Sequence, residues 1–206
     1  FNLLKAFEGV DFLLPEIVQQ RDWVKVKLPE SFRLMAFGNS QLSKLARGYM
    51  ESRGFNINKL TTQGIGYCTK GDYSGFIIFP FYQQGNLIYF IGRWFIQVGE
   101  GKFKNPSVED FGLGKSMLTY NADSLAIYNK IYTVESIPNC LTIGNNSIAT
   151  MGKAISTYQL SMILRSPVKK VIIGLDDDAI FEAIKLGLKL VHHKKVKILN
   201  LPSGKD

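Results

Sequence analysis

The stretch Val171-Ile172-Ile173-Gly174-Leu175-Asp176-Asp177-Asp178 decides how this chain is read. A short run of β-branched and aliphatic residues that stops on three acids is the pattern of a buried strand whose carboxyl end meets solvent. A helical pattern from Ala179 to His193 follows directly. Upstream, Ile131 to Val134 reads as a strand ending at Glu135. Ser147 to Thr150 reads as another, with a helix from about Ala154 to Leu164 after it. Downstream, Val196 to Leu201 reads as a fourth strand that runs into Pro202-Ser203-Gly204-Lys205-Asp206. Strands alternating with helices predict a mainly parallel sheet.

In such a sheet, functional groups gather where strands end. Glu135, Asp176, Asp178 and Asp206 all stand at or just beyond strand ends. Asp176 and Asp178 are two apart, so both side chains can face one side of an extended or turning backbone. Carboxylate oxygens with no His or Cys among them suit a hard cation such as Mg²⁺, which keeps waters and shares substrate phosphates. Each acid also has an ordinary reading. Asp178 can serve as a helix N-cap, and a lone glutamate after a strand needs no special role. Three strand ends closing on acids within one compact region favour the metal. His192 and His193, among lysines at a helix end, read as solvated surface.

Before about residue 120 the pattern differs. Ser40 to Arg53 predicts a capped helix stopped by Gly54. Residues from Ile65 to Val98 predict antiparallel strands, with Phe76 to Phe81 and Leu87 to Ile91 joined by a turn at Gln83-Gln84-Gly85-Asn86. Gly99 to Ser116 is rich in glycine and reads as loop. The predicted organisation is a connecting segment over 1–39, an α+β N-terminal subdomain with antiparallel strands over 40–122, and an α/β subdomain with a mainly parallel sheet over 123–206 that is cut at its C-terminal end. Phe1 to Phe7 has a helical stripe, and the start lacks Met, so the chain is expected to begin inside a longer protein.

Lys plus Arg outnumber Asp plus Glu by 25 to 17, a formal charge of +8 that suits a polyanionic partner. Arg93, Lys102, Lys104 and Lys115 sit beside glycines and aromatics, away from regular helical faces. Cys68 and Cys140 are far apart, in no ligand-like spacing, and are expected to pack as small apolar thiols in a reducing compartment. No stretch has the length to span a bilayer, and no membrane partner is expected.

Three strings taken together resemble the TOPRIM domain of bacterial and phage primases, topoisomerases and some nucleases: Tyr132-Thr133-Val134-Glu135-Ser136, Ile148-Ala149-Thr150-Met151-Gly152 and Val171 to Asp178. The closing Leu201-Pro202-Ser203-Gly204-Lys205-Asp206 resembles the segment that follows in DnaG-type primases. In the first half, Ala46 to Gly54, Ile77-Ile78-Phe79-Pro80, Phe90-Ile91-Gly92-Arg93, Lys102-Phe103-Lys104-Asn105-Pro106-Ser107 and Phe111-Gly112-Leu113-Gly114-Lys115 resemble elements of the same RNA-polymerising core. The resemblance covers roughly residues 40 to 206, with the motifs in the family's order. It implies RNA primer synthesis from ribonucleoside triphosphates on single-stranded DNA. Mg²⁺ or Mn²⁺ would be held by Glu135, Asp176, Asp178 and Asp206. Arg93, Lys102, Lys104, Asn105 and Lys115 would serve nucleotide or template.

The resemblance further implies a cytoplasmic setting, a replicative helicase as partner, fused or separate, and zinc only in a region outside this chain. The sequence departs from the pattern at Asp72-Tyr73-Ser74-Gly75, where the family often has an arginine, and at Ala179-Ile180-Phe181 after the acids. These departures imply a divergent, phage-like member. A metal-dependent nuclease built on the same domain and a nucleic-acid-binding module with a degenerate site stay open as alternatives.

Overall fold

The structure is a computed structural model and describes residues 26–96, 103–107 and 113–199. Two sheets form, one antiparallel and one parallel. The antiparallel sheet comes first. Strand β1 (Phe32–Leu34) is followed by helices α1 (Gln41–Ser52) and α2 (Ile57–Thr62), then by β2 (Gly66–Cys68), β3 (Phe76–Gln83), β4 (Asn86–Trp94) and the short β5 (Phe103–Lys104). The five strands lie in sequence order.

The local choices follow from the residues. Ser40 caps α1 by accepting the Ser43 backbone N–H, and Asn56 caps α2 from Lys59, each satisfying a donor that the first turn leaves orphaned. The β3–β4 hairpin turns on Gln84 (φ 51°) and Gly85 (φ 75°), the left-handed pair that matches the natural twist of two strands. The Asp123 carboxylate accepts the backbone N–H groups of both turn residues, at 2.7 and 3.2 Å. Pro80 is tolerated inside β3 because β2 pairs only with Ile77 and Ile78, leaving that side of β3 open where the proline sits.

The parallel sheet is built from β6 (Lys130–Val134), β7 (Ser147–Ala149), β8 (Lys170–Gly174) and β9 (Lys195–Ile198), in the order β7-β6-β8-β9. A short helix α3 (Ser124–Ile127) leads in, and α4 (Ile137–Ile143), α5 (Thr157–Arg165) and α6 (Ile180–Leu190) make the crossovers. The α+β arrangement followed by α/β, expected from the strand pattern, is the observed architecture. Helix α5 starts three residues later than its apolar pattern suggests. Ser156 and Gln159 form a capping box there, and the chain cannot be helical before its cap. Helix α4 was missed by apolar periodicity because it has seven residues. Its signals are Ser136, which caps it, and Pro138 in its first turn.

One apolar core runs between the sheets. Met50, Ile77, Phe79, Phe81 and Ile91 from the first half pack with Leu118, Tyr120, Val134, Ile137 and Leu141 from the second. Phe81 is the joint. It stands edge-on to Tyr89 at 5.9 Å and to Tyr120 at 5.3 Å between ring centroids. Tyr120 in turn forms an antiparallel bridge with Ala149 at the edge of the parallel sheet. The other face of the antiparallel sheet carries a smaller cluster of Cys68, Ile78 and Phe90 with Phe32, Tyr73 and Phe76 against it. Both cysteines are buried free thiols, as expected, and burial pushes each up to about 11. Among the described residues no helix is long and apolar enough to cross a membrane.

Phe81→Ala should therefore cost about 3–5 kcal/mol, the range for truncating a buried aromatic. Denaturant unfolding checks this, and fluorescence and far-UV circular dichroism should still report one shared transition because the cluster that holds Phe81 draws on both sheets.

Candidate active site at the carboxylate rim

Strand order places the acids. The chain leaves β6 toward β7 on one side, and leaves β8 toward β9 on the other. The carboxyl ends of β6 and β8 therefore flank a switch point, where a parallel sheet opens a crevice. Val134 pairs with Gly174, the last register pair of these strands. Glu135 follows that pair by one residue and Asp176 by two, so positions 41 apart in sequence share one rim.

The rim is electrostatically coupled. Burial lifts the Glu135 carboxyl above its usual range; the charges of Asp176 and Asp178 raise it further, and Lys153 partly offsets them. Glu135 Oε2 is buried with no hydrogen-bond partner. Asp176 Oδ1 accepts a hydrogen bond of 3.2 Å from Asn139 Nδ2, which α4 brings to the same rim. Asp178 caps no helix, contrary to its ordinary reading. Asp176 occupies the cap of the 3-10 turn over Asp177–Ala179 and Ala179 that of α6, neither through a side-chain bond. Asp178 Oδ2 instead forms an ion pair with Lys153 Nζ. That contact raises the Lys153 ammonium above its ordinary value, helped by the charges of Asp178, Glu135 and Asp176.

The expected four-acid set is thus only partly assembled. Asp206 lies outside the described residues. Among the described residues no three of His, Cys, Asp and Glu are grouped so as to hold a metal ion. Glu135 and Asp176 fit one best. A buried carboxylate oxygen without a donor is costly unless a cation or a proton satisfies it.

The basic residues divide between the two faces of the antiparallel sheet. Gly92 pairs with Lys104 and Arg93 with Phe103, so Arg93 and Lys104 point to opposite faces. Asn105 and Phe103 line a cavity of about 150 Å³ together with Glu135, Ser136, Met151 and Gly152. The Arg93 guanidinium stacks over Phe103 at 5.0 Å and donates from Nε to Tyr49 Oη at 2.6 Å, which holds its plane on the acid side. Lys104 is on the far face, donating to the Asp72 carbonyl at 2.9 Å and lying over the Tyr73 ring. A wider groove of about 860 Å³ opens on that far side, lined by Arg33, Lys70 and Tyr73, and includes none of the rim acids. Of the residues expected to serve nucleotide or template, strand alternation thus puts Lys104 on the face opposite Arg93, away from the rim acids. Lys102 and the side chain of Lys115 lie outside the described residues. Trp94 packs edge-on to Phe76 and Phe95 is buried, which accounts for both as packing. His192 and His193 are exposed at the end of α6, as expected.

Sequence reasoning missed two rim residues, Asn139 and Lys153. Neither belongs to an acid pattern, and each reaches the site from a turn or helix whose position depends on strand order.

No protein-family model matches the chain, and no curated protein is significantly similar to it. In three dimensions the arrangement has a primase-like fold. The particular likeness is to the crystal structure of the Aquifex aeolicus primase, zinc-binding and RNA polymerase domains, with a TM-score of 0.63 and 21% identity over 78% of this chain and 50% of that one. This chain therefore spans about half the length of that solved chain.

The raised Glu135 carboxyl fixes a sign. The folded state binds its proton more tightly than the unfolded chain, so stability falls as pH climbs through the window just above the ordinary carboxyl value. Without divalent cations, Glu135→Gln should raise Tm at neutral pH by about 2 °C, and the gain should vanish toward pH 4. Differential scanning calorimetry across pH measures both.

Proposed function

We propose that this chain is the catalytic part of a DnaG-type primase, joining ribonucleotides into short RNA on single-stranded DNA through a TOPRIM-type acid site. The observation that carries the reading is the buried, unpartnered Glu135 Oε2. It is coupled to Asp176 at the sheet's switch point and lines a cavity shared with Asn105 of the antiparallel sheet. The primase-like fold supports it.

In this reading Glu135, Asp176 and Asp178 hold Mg²⁺ or Mn²⁺, with Asp206 as a further ligand. When bound, the ions supply positive charge for the triphosphate and acidify the primer 3′-hydroxyl. The chain's own groups position the substrates. Arg93, locked by Tyr49 and Phe103, presents a flat guanidinium suited to phosphate. Asn105 offers an amide to the nucleotide beside Glu135. Asn139 orients the Asp176 carboxylate. Lys102 and Lys115 remain in the reading as contacts to template or nucleotide. A bacterial or phage replication setting and a helicase partner complete the proposal.

A second reading has its own observation. The pairing of Asp178 with Lys153, and the lack of three grouped ligands among the described residues, suit a nucleic-acid-binding module with a degenerate site. Labelled ribonucleotide incorporation on single-stranded DNA separates the two, and cleavage of a labelled strand in the same reaction tests for a nuclease.

Asp176→Ala should lower primer synthesis at least about a hundredfold, since charge compensation at a phosphoryl centre contributes several kcal/mol. Its single-stranded DNA binding should stay within about twofold of the unaltered chain. Undiminished synthesis would remove the acid rim from catalysis. Arg93→Ala should weaken template or nucleotide binding by about tenfold at low salt, with the deficit shrinking as salt rises. Fluorescence anisotropy over a salt series reads this.

A further inference from the structure

The turn after β7 carries a cation to the acid rim, and its backbone is fixed to do so. Thr150 N–H donates to Val134 O and Met151 N–H to Glu135 O, each at 3.0 Å, so the turn is tied to the end of β6. Thr150 Oγ1 reaches Gly152 O at 2.9 Å, and the buried Gln159 amide holds Thr150 O at 2.8 Å. Met151 sits at φ 63°, a left-handed conformation that side-chain-bearing residues rarely adopt. These constraints aim the next residues over the rim, where Lys153 Nζ meets Asp178 Oδ2.

A half-exposed lysine on an exposed aspartate is, by itself, an ordinary surface pair. Its surroundings distinguish it. The ammonium lies in the field of Glu135 and Asp176 as well as Asp178, at a rim where one carboxylate oxygen is buried without a donor. Clustered acids repel one another unless a positive charge stands among them. Here a residue of the chain supplies that charge.

We propose that Lys153 is a built-in counter-ion of the acid rim, which holds Asp178 when no divalent cation is bound and competes with that cation for the carboxylate. The inference rests on the primase reading above and adds a positioning residue to it. Lys153 sets how much free cation is needed before all the acids turn to it, so the site loads sparingly at low cation concentration.

Mn²⁺ binding to the whole chain, followed by electron paramagnetic resonance of the free ion, tests this without any assay of synthesis. Lys153→Met should bind Mn²⁺ about tenfold more tightly, the scale on which one unit charge repels a divalent cation a few ångströms away in a water-like medium. Lys153→Arg, which keeps the charge, should stay within about twofold of the unaltered protein. Equal affinity in the Lys153→Met variant would overturn the proposal. Asp176→Asn in the same series separates the layers. If it weakens Mn²⁺ binding while Lys153→Met changes nothing, the counter-ion idea alone fails. If it binds as the unaltered protein does, the ion sits elsewhere, and the primase reading falls with the inference.

Discussion

The parallel register of β6 on β8 is the constraint on which the rest depends. Both strands are buried along most of their length, so their backbone groups must pair with each other. A register shift would break the pairing of Val134 with Gly174, move Thr133 and Ile173 to the opposite face, and separate Glu135 from Asp176. The ladder that closes the core therefore also sets the spacing of the acids. The spacing of the rim acids and the stability of the sheet are linked here by one set of hydrogen bonds.

That linkage has a cost which the structure makes visible. Desolvation and two neighbouring charges raise the Glu135 carboxyl, and one of its oxygens has no partner. Residues selected for stability alone would not gather acids at a buried strand end. Lys153 brings a positive charge to the rim itself, while Arg93 lies over Phe103, whose ring lines the same cavity as Glu135. Arg93 is immobilised by Tyr49 and Phe103, whereas Lys153 is a flexible stem on a rigid turn.

Much of this was legible in the sequence, for physical reasons. Runs such as Val171 to Gly174 are β-branched because strands covered on both faces need no polar alternation, and their ends show where acids replace apolar residues. The hairpin was legible because Gln84-Gly85 can adopt the left-handed pair its turn requires. Strand order was not legible, because nothing local in Ile131 to Val134 says which strand lies beside it. Cross-strand register is no more local, so Lys104 was grouped with Arg93 although pairing with Gly92 sends it to the other face; Asn139 went unnoticed on a helix of seven residues, and Lys153, just ahead of the helix expected from Ala154, was not singled out. Asp178 was legible as an acid but not as Lys153's partner.

The Tyr120–Ala149 bridge has a further meaning. Strand β7 is the outermost of its sheet, and an uncovered border strand invites pairing with other chains. Tyr120 covers that border with two hydrogen bonds, at 3.0 and 3.3 Å, while its ring is buried against Phe81 of the other sheet. The connecting peptide is thus also a guard against self-association. A fragment starting after Tyr120 would lose the guard and its aromatic anchor together, and would be prone to stick to its own copies.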